Sequence, residues 1–208
     1  MTLSVVILAA GKGTRMFSDK PKVLHKLSNQ PLLQYVIKTV KHLKPLNINV
    51  VVGYKSEEIK KEFLKDDINW VNQTEQLGTG HAVKSATPFF KGSQTIVLYG
   101  DVPLVNIGDL QKLIKISEGG LGILTFNKEF PKGYGRIKRL KDEVIGVVEE
   151  KDCSESEKKI NEINTGIMCI ESVKLKKWLP QITNNNSQKE YYLTDIVDLA
   201  KRDNVKIH

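Results

Sequence analysis

Gly11, Lys12, Gly13 and Arg15 fall in the stretch LAAGKGTRM, Leu8 to Met16, directly after the apolar run LSVVI and before FSDKPKVLHK. Glycines permit positive φ and close backbone approach, and successive backbone N–H groups in such a loop form a nest for an anion. Arg15 offers paired, charge-assisted hydrogen bonds to phosphate oxygens, and Lys22 adds a compact positive charge. Between Gly11 and Leu27, the cations Lys12, Arg15, Lys20, Lys22 and Lys26 meet a single acid, Asp19. That chemistry suits a small polyanion. A dinucleotide fingerprint requires a further glycine where Met16 stands, and a Walker A loop requires Gly-Lys-Ser/Thr where the chain has Gly11-Lys12-Gly13. Both patterns fail, and taken alone the stretch also suits a glycine turn with a solvated arginine.

Three further constellations carry chemistry. In NQTEQLGTGHAV, Gly78, Thr79 and Gly80 open a helix and present backbone donors, while Gln73 and Gln76 carry the donor and acceptor pairs that read a nucleobase edge. The same residues also fit an N-capped turn. His81 reads as a packed helix residue. In IVLYGDVPLV an apolar strand ends at Gly100-Asp101, where a carboxylate either caps a turn or holds Mg²⁺, a hard cation that prefers oxygen. Last come GYGRI, VVEEKD, EINTGI and KEYYLTDI, in which Gly135, Glu149, Asn164, Tyr192 and Thr194 bound apolar segments. Beside a phosphate loop and a metal-type acid, these groups suit a polyhydroxylated ligand.

Such residues need elements to position them. Short apolar or β-branched runs predict strands at Ser4–Ala9, Asn49–Val52, Thr95–Tyr99 and Gly122–Phe126. Helical patterns fall between them, near Leu32–Leu43, Ser56–Leu64, Thr79–Thr87 and Ile107–Ser117. This alternation predicts an α/β fold with a mostly parallel central sheet flanked by helices, and ligands bind such sheets beyond the carboxyl ends of the strands. After PKGYG the texture changes to a hairpin (RIKRL, EVIGVVEE), a strand (EINTGIMCI) and two short helices, an antiparallel portion expected over the sheet's edge. The closing DNVKIH reads as the start of another strand.

The formal charge of +8 raises the possibility of a nucleic-acid partner, but most lysines are interspersed with acids, as in KSEEIKKEFLKDD, so none is expected. No apolar run reaches the roughly 20 residues of a membrane span. The N-terminus reads as a strand rather than a leader. Cys153 and Cys169 lack metal or redox spacing, as in a reduced cytoplasmic protein.

Taken together, VVILAAGKGTRM, KPKVLH, EQLGTGHAV, LYGDVPL, GYGRI, EINTGI and NNNSQKEYYLTDI resemble the uridylyltransferase domain of the bacterial GlmU family, over essentially the whole chain. The members of that family are bifunctional N-acetylglucosamine-1-phosphate uridylyltransferases and glucosamine-1-phosphate N-acetyltransferases. The resemblance implies a Rossmann-like nucleotidyltransferase fold for residues 1–208. It also implies the reaction UTP + N-acetylglucosamine 1-phosphate → UDP-N-acetylglucosamine + pyrophosphate, which feeds peptidoglycan and lipopolysaccharide synthesis. By motif, Leu8, Ala9, Ala10, Gly11, Gln73, Gly78 and Thr79 are implied to bind the uridine, and Arg15 and Lys22 the phosphates. Tyr99 and Gly100 line the site, Asp101 binds Mg²⁺, and Gly135, Glu149, Asn164, Tyr192 and Thr194 hold the sugar. The family's downstream asparagine metal ligand, and the left-handed β-helix that carries acetyl transfer and trimerisation, lie beyond His208. A shortened domain is therefore expected, without acetyl transfer. Other sugar- or alditol-phosphate nucleotidyltransferases, or a noncatalytic nucleotide- or RNA-binding module, are the alternatives. If Arg15 tightens its grip in the transition state, Arg15→Ala costs about 10²–10³-fold in turnover. Pyrophosphate release measures this, and a loss under roughly threefold removes Arg15 from the mechanism.

Overall fold

The computed structural model describes residues 1–13 and 16–208. Strand β1 (Leu3–Ala9) is buried from end to end. Its side chains alternate between two apolar layers, Val5, Ile7 and Ala9 on one face and Val6 and Leu8 on the other. Burial on both faces is why this strand reads as a continuous apolar run rather than an alternating one. A two-residue ladder, β2 (Lys26–Leu27) with β3 (Gln30–Pro31), leads into helix α1 (Leu32–Lys41). There follow β4 (Asn47–Val52), α2 (Ser56–Glu62), β5 (Asn69–Asn72), α3 (Thr79–Ser85), β6 (Gln94–Tyr99) and α4 (Ile107–Ile116). The second half holds β7 (Leu121–Asn127), β8 (Arg136–Leu140), β9 (Glu143–Val148), β10 (Glu162–Glu171), α5 (Ser172–Trp178) and α6 (Ile196–Arg202).

Strands β5, β4, β1 and β6 are neighbours in that order and all parallel. Val36, Ile37 and Val40 of α1, Ile59 of α2 and Leu110 and Leu113 of α4 fill one face of the sheet. Ala82 and Val83 of α3, Leu175 and Trp178 of α5, and Ile196 and Val197 of α6 fill the other. This is the three-layer α/β architecture that the alternation of elements predicts. The expected strands at the ends of β1, β4 and β6 and the expected helices appear at nearly the same positions. Short, polar β5 (NWVN) carries too weak a pattern to be read from sequence.

The second half differs from expectation in one respect. β7 does not join the parallel set directly, because β10 is inserted antiparallel between it and β6. β8 and β9 form the expected hairpin, and β8 also pairs with β10 at Ile163↔Arg136. The antiparallel portion therefore extends the sheet instead of covering its edge. DNVKIH continues the sheet on the far side of β7. There Leu121 N donates to Lys206 O at 3.0 Å, and His208 N donates to Leu121 O at 2.8 Å.

Strand β10 changes partners through a bulge between Asn164 and Met168. Continuing its register with β6 from Met168↔Val97 places Gly166 opposite Tyr99. There Gly166 adopts φ +82°, and a Cβ would lie 2.2 Å from Tyr99 Cε2. Only glycine fits this position. Gly166→Ala is expected to lower stability by about 1–3 kcal/mol and to push the Tyr99 ring aside. Urea unfolding measures the loss, and an unchanged midpoint would refute the tight packing described here.

Candidate active site

The parallel register brings the carboxyl ends of β1, β4, β5 and β6 to one edge of the sheet. A cavity of about 310 Å³ opens there, lined by Leu8–Gly11, Gly13, Lys22, Gln73, Gln76, Gly78, Thr79, Tyr99 and Asp101, with Val23, Ala82 and Glu190. Of the residues singled out from sequence, Leu8, Ala9, Ala10, Gly11, Lys22, Gln73, Gly78, Thr79, Tyr99 and Asp101 thus share one wall. Gly100 is next to it, its N–H donating to Leu8 O at 2.9 Å. Arg15 lies outside the described residues. Gln76 is a cavity residue whose type signalled a base contact. Val23, Ala82 and Glu190 carried no such signal, because their place depends on the packing of distant segments.

The two loop glycines play different parts. Gly13 has φ +63° and packs so closely on Lys22 that a Cβ would meet Lys22 Cβ at 2.7 Å. Gly11 has no positive φ, and a Cβ there would meet nothing within 4 Å. Of the two glycines that permit positive φ, only Gly13 uses it. Gly78 is held at φ +112°, where a Cβ would meet Tyr191 O at 2.6 Å. The start of α3 is clamped there by the segment before α6. Gly80 N donates to Tyr191 O at 2.7 Å, and Leu193 N donates to Thr79 Oγ1 at 2.9 Å.

Lys22 and Asp101, expected to serve phosphate and metal separately, form an ion pair across the cavity mouth. Among the described residues no cluster of three His, Cys, Asp or Glu side chains converges on one point. A lone carboxylate does not make an all-protein cage. It does fit Mg²⁺, which keeps water and substrate phosphates as most of its ligands.

Gly135, Glu149, Asn164 and Thr194 form a second polar group beside the first. Asn164 N donates to Gly135 O at 2.9 Å, and Thr194 Oγ1 donates to Glu149 Oε1 at 3.0 Å. A Cβ at Gly135 would crowd Glu149 Oε2 at 3.2 Å, so glycine leaves that carboxylate room. Tyr192 is turned differently: its hydroxyl donates to Asp152 Oδ2 at 3.3 Å and accepts from Gln188 Nε2 at 2.9 Å. Tyr99 joins the two groups. Burial, then the charges of Glu149 and Asp101, raise its phenol well above the ordinary tyrosine range. Burial, with Asp152 and Glu190 nearby, likewise raises the Glu149 carboxyl, against the pull of the Thr194 hydroxyl.

A family model described as a MobA-like NTP transferase domain matches residues 5–144. The chain is 52% identical over 210 residues to the "Bifunctional protein GlmU" of Idiomarina loihiensis. It is 50% identical over 209 residues to that of Acinetobacter baylyi. Each match covers 100% of this chain and 46% of the relative, so the chain spans about half the length of these curated relatives. A UDP-glucose pyrophosphorylase solved with UDP-glucose superposes with TM-score 0.78 at 18% identity, over 97% of this chain and 88% of the other. The inositol-1-phosphate CTP transferase of T. maritima gives 0.78 at 15%, over 100% and 84%. At those identities the shared property is the fold. Among the described residues, no helix is long and apolar enough to cross a membrane.

The acids around Glu149 give the site a pH signature. Half-buried Asp195 is pushed up to about 6 from 3.8, first by burial and then by Asp198, Glu149 and Asp152. The folded state holds this proton more tightly than the unfolded chain, so the contribution of Asp195 to stability is greatest below pH 4 and is lost as the pH rises through about 6. Asp195→Asn is expected to stabilise the protein by about 1 kcal/mol at pH 7.5, after discounting for solvent screening. The gain vanishes near pH 4. Denaturant midpoints at the two pH values measure it, and an equal gain at both would refute the assignment.

Proposed function

The chain belongs to the family of MobA-like NTP transferase domains, and from that premise we propose that it transfers a uridylyl group from UTP to N-acetylglucosamine 1-phosphate. One observation carries the reading. The cavity around Gln73 and the start of α3 is joined through Tyr99 to the Gly135, Glu149, Asn164 and Thr194 group, and the paired Lys22 and Asp101 line it. In this reading the Leu8–Gly11 backbone, Gln73, Gly78 and Thr79 hold the uridine. Gly135, Glu149, Asn164 and Thr194 hold the sugar, with Tyr192 bracing that wall. Tyr99 and Gly100 form the partition. Arg15, named from sequence alone, joins Lys22 on the phosphates.

The attacking group is an oxygen of the sugar phosphate, ionised at neutral pH. It forms a bond to the α-phosphorus of UTP as the α–β bridging oxygen leaves with pyrophosphate. No proton needs to be abstracted, so the protein's task is to align two anions and offset their repulsion. When bound, Mg²⁺ supplies charge neutralisation at the phosphates, and Asp101 is the residue that would hold it. Lys22 leaves its bond with Asp101 to grip the phosphates, while the α3 start and Gln73 fix the base. The half-length match to bifunctional relatives makes supply of a cell-envelope precursor part of the same proposal.

Pyrophosphate release from UTP, CTP, GTP and ATP, with N-acetylglucosamine 1-phosphate as acceptor, tests the reading. UTP is expected to exceed CTP by more than about 10²-fold, as in sites built to bond a substrate group. Equal use of the four nucleotides, or salt-sensitive RNA binding without nucleotide transfer, would overturn it. Asp101→Asn is expected to raise the Mg²⁺ concentration needed for half-maximal rate. An unchanged metal titration would remove Asp101 from that role.

A further inference from the structure

Gln73 is only 3% exposed, yet it lines the cavity, so the direction of its amide decides what a base meets there. Its Nε2 donates to Gly78 O at 3.2 Å and lies 3.0 Å from His81 Nδ1. A primary amide nitrogen has two hydrogens, and these two acceptors take both. Among the described residues no group donates to Gln73 Oε1. Turning the amide over would set its carbonyl oxygen against Gly78 O, losing that bond, and would keep the other only if the His81 ring moved its proton from Nε2 to Nδ1. The Nδ1 position accepts only if the neutral ring carries its proton on Nε2. The His81 ring is flanked by Tyr191, with centroids 6.5 Å apart, and both line a second cleft together with Lys84 and Asn184.

We propose that His81 is a positioning residue for nucleobase selection: with Gly78 O, it holds Gln73 so that a carbonyl oxygen, not an amino group, faces the base. This rests on the uridylyl reading above. An inward-facing acceptor pairs with the N3–H of uracil and opposes the N3 lone pair of cytosine. Without the His81 acceptor, only Gly78 O opposes rotation of the amide, and the rotated form offers cytosine a donor. The spacing in QTEQLGTGH places His81 two residues into α3, so its ring reaches back to the strand end that carries Gln73.

The test is the ratio of UTP to CTP affinity, measured by calorimetry with Mg²⁺ present, alongside the ratio of kcat/KM for the two nucleotides. H81L is expected to lower both ratios about three- to tenfold, the size of one neutral hydrogen bond. H81N, which keeps an oxygen acceptor where Nδ1 stands, is expected to stay within about twofold of the unaltered chain, less than one hydrogen bond is worth. Should H81L fail to fold, H81F removes the acceptor while filling the space. On a Q73A background, H81L is expected to change the ratio no further. If H81L or H81F weakens both nucleotides equally and leaves the ratio untouched, His81 only packs and the inference is wrong. If the unaltered chain shows no preference for UTP, the uridylyl reading fails first, and this inference with it.

Discussion

The double-sided burial of β1 is the constraint on which the site depends. With Val5, Ile7 and Ala9 in one apolar layer and Val6 and Leu8 in the other, the strand must be covered by helices on both faces and paired on both edges. Parallel pairing with β4 and β6 meets this need, and each connection then crosses over as a helix. The consequence is geometric. All the strand ends emerge at one edge, and the chain there leaves the ladder with backbone groups that have no sheet partner. Leu8–Gly11, Gln73 and Gly100–Asp101 are near one another for this reason, although they span some ninety residues of sequence.

The group of Gly135, Glu149, Asn164 and Thr194 depends on a different device. β10 enters antiparallel to β6, so its early residues reach the edge where the parallel strands finish. Its first residues pair with β8 and carry Asn164 beside Gly135, and the bulge around Gly166 lets it then pair with β6 from Met168 onward. Tyr99 occupies the space that a side chain at Gly166 would have taken. One glycine therefore creates both the seam between the two halves and the aromatic partition within it.

The charges are divided along the same seam. Cations cluster on the loop side, where Lys22 is paired with Asp101. On the other side burial first, then the charges of Asp152 and Glu190, raises Glu149, and burial first, then Asp198, Glu149 and Asp152, raises Asp195. The clamp of Tyr191 and Leu193 on α3 ties the two sides mechanically, because the helix start that lines the cavity is held by the segment that ends at Thr194.

Much of this was legible in the residues. The glycine and cation loop, the helix opened by Gly78 and the acid after β6 are local patterns, set by backbone conformation and by the burial period of neighbouring side chains. Short-range physics suffices for them, and with two-sided apolar strands it determined the α/β class and the edge where the cavity opens. What tertiary structure alone decided involves partners far apart in the chain. Those are the insertion of β10 beside β6, the Lys22–Asp101 pair, the turning of Tyr192 toward Asp152 and Gln188, and the use of positive φ at Gly13 but not at Gly11. His81 shows the difference most plainly. Its sequence context reads only as a packed helix residue, and its bond to Gln73 exists because β5 and α3 meet at the sheet's edge. A lone pair's role depends on what faces it, and only the folded chain brings that partner within 3.0 Å.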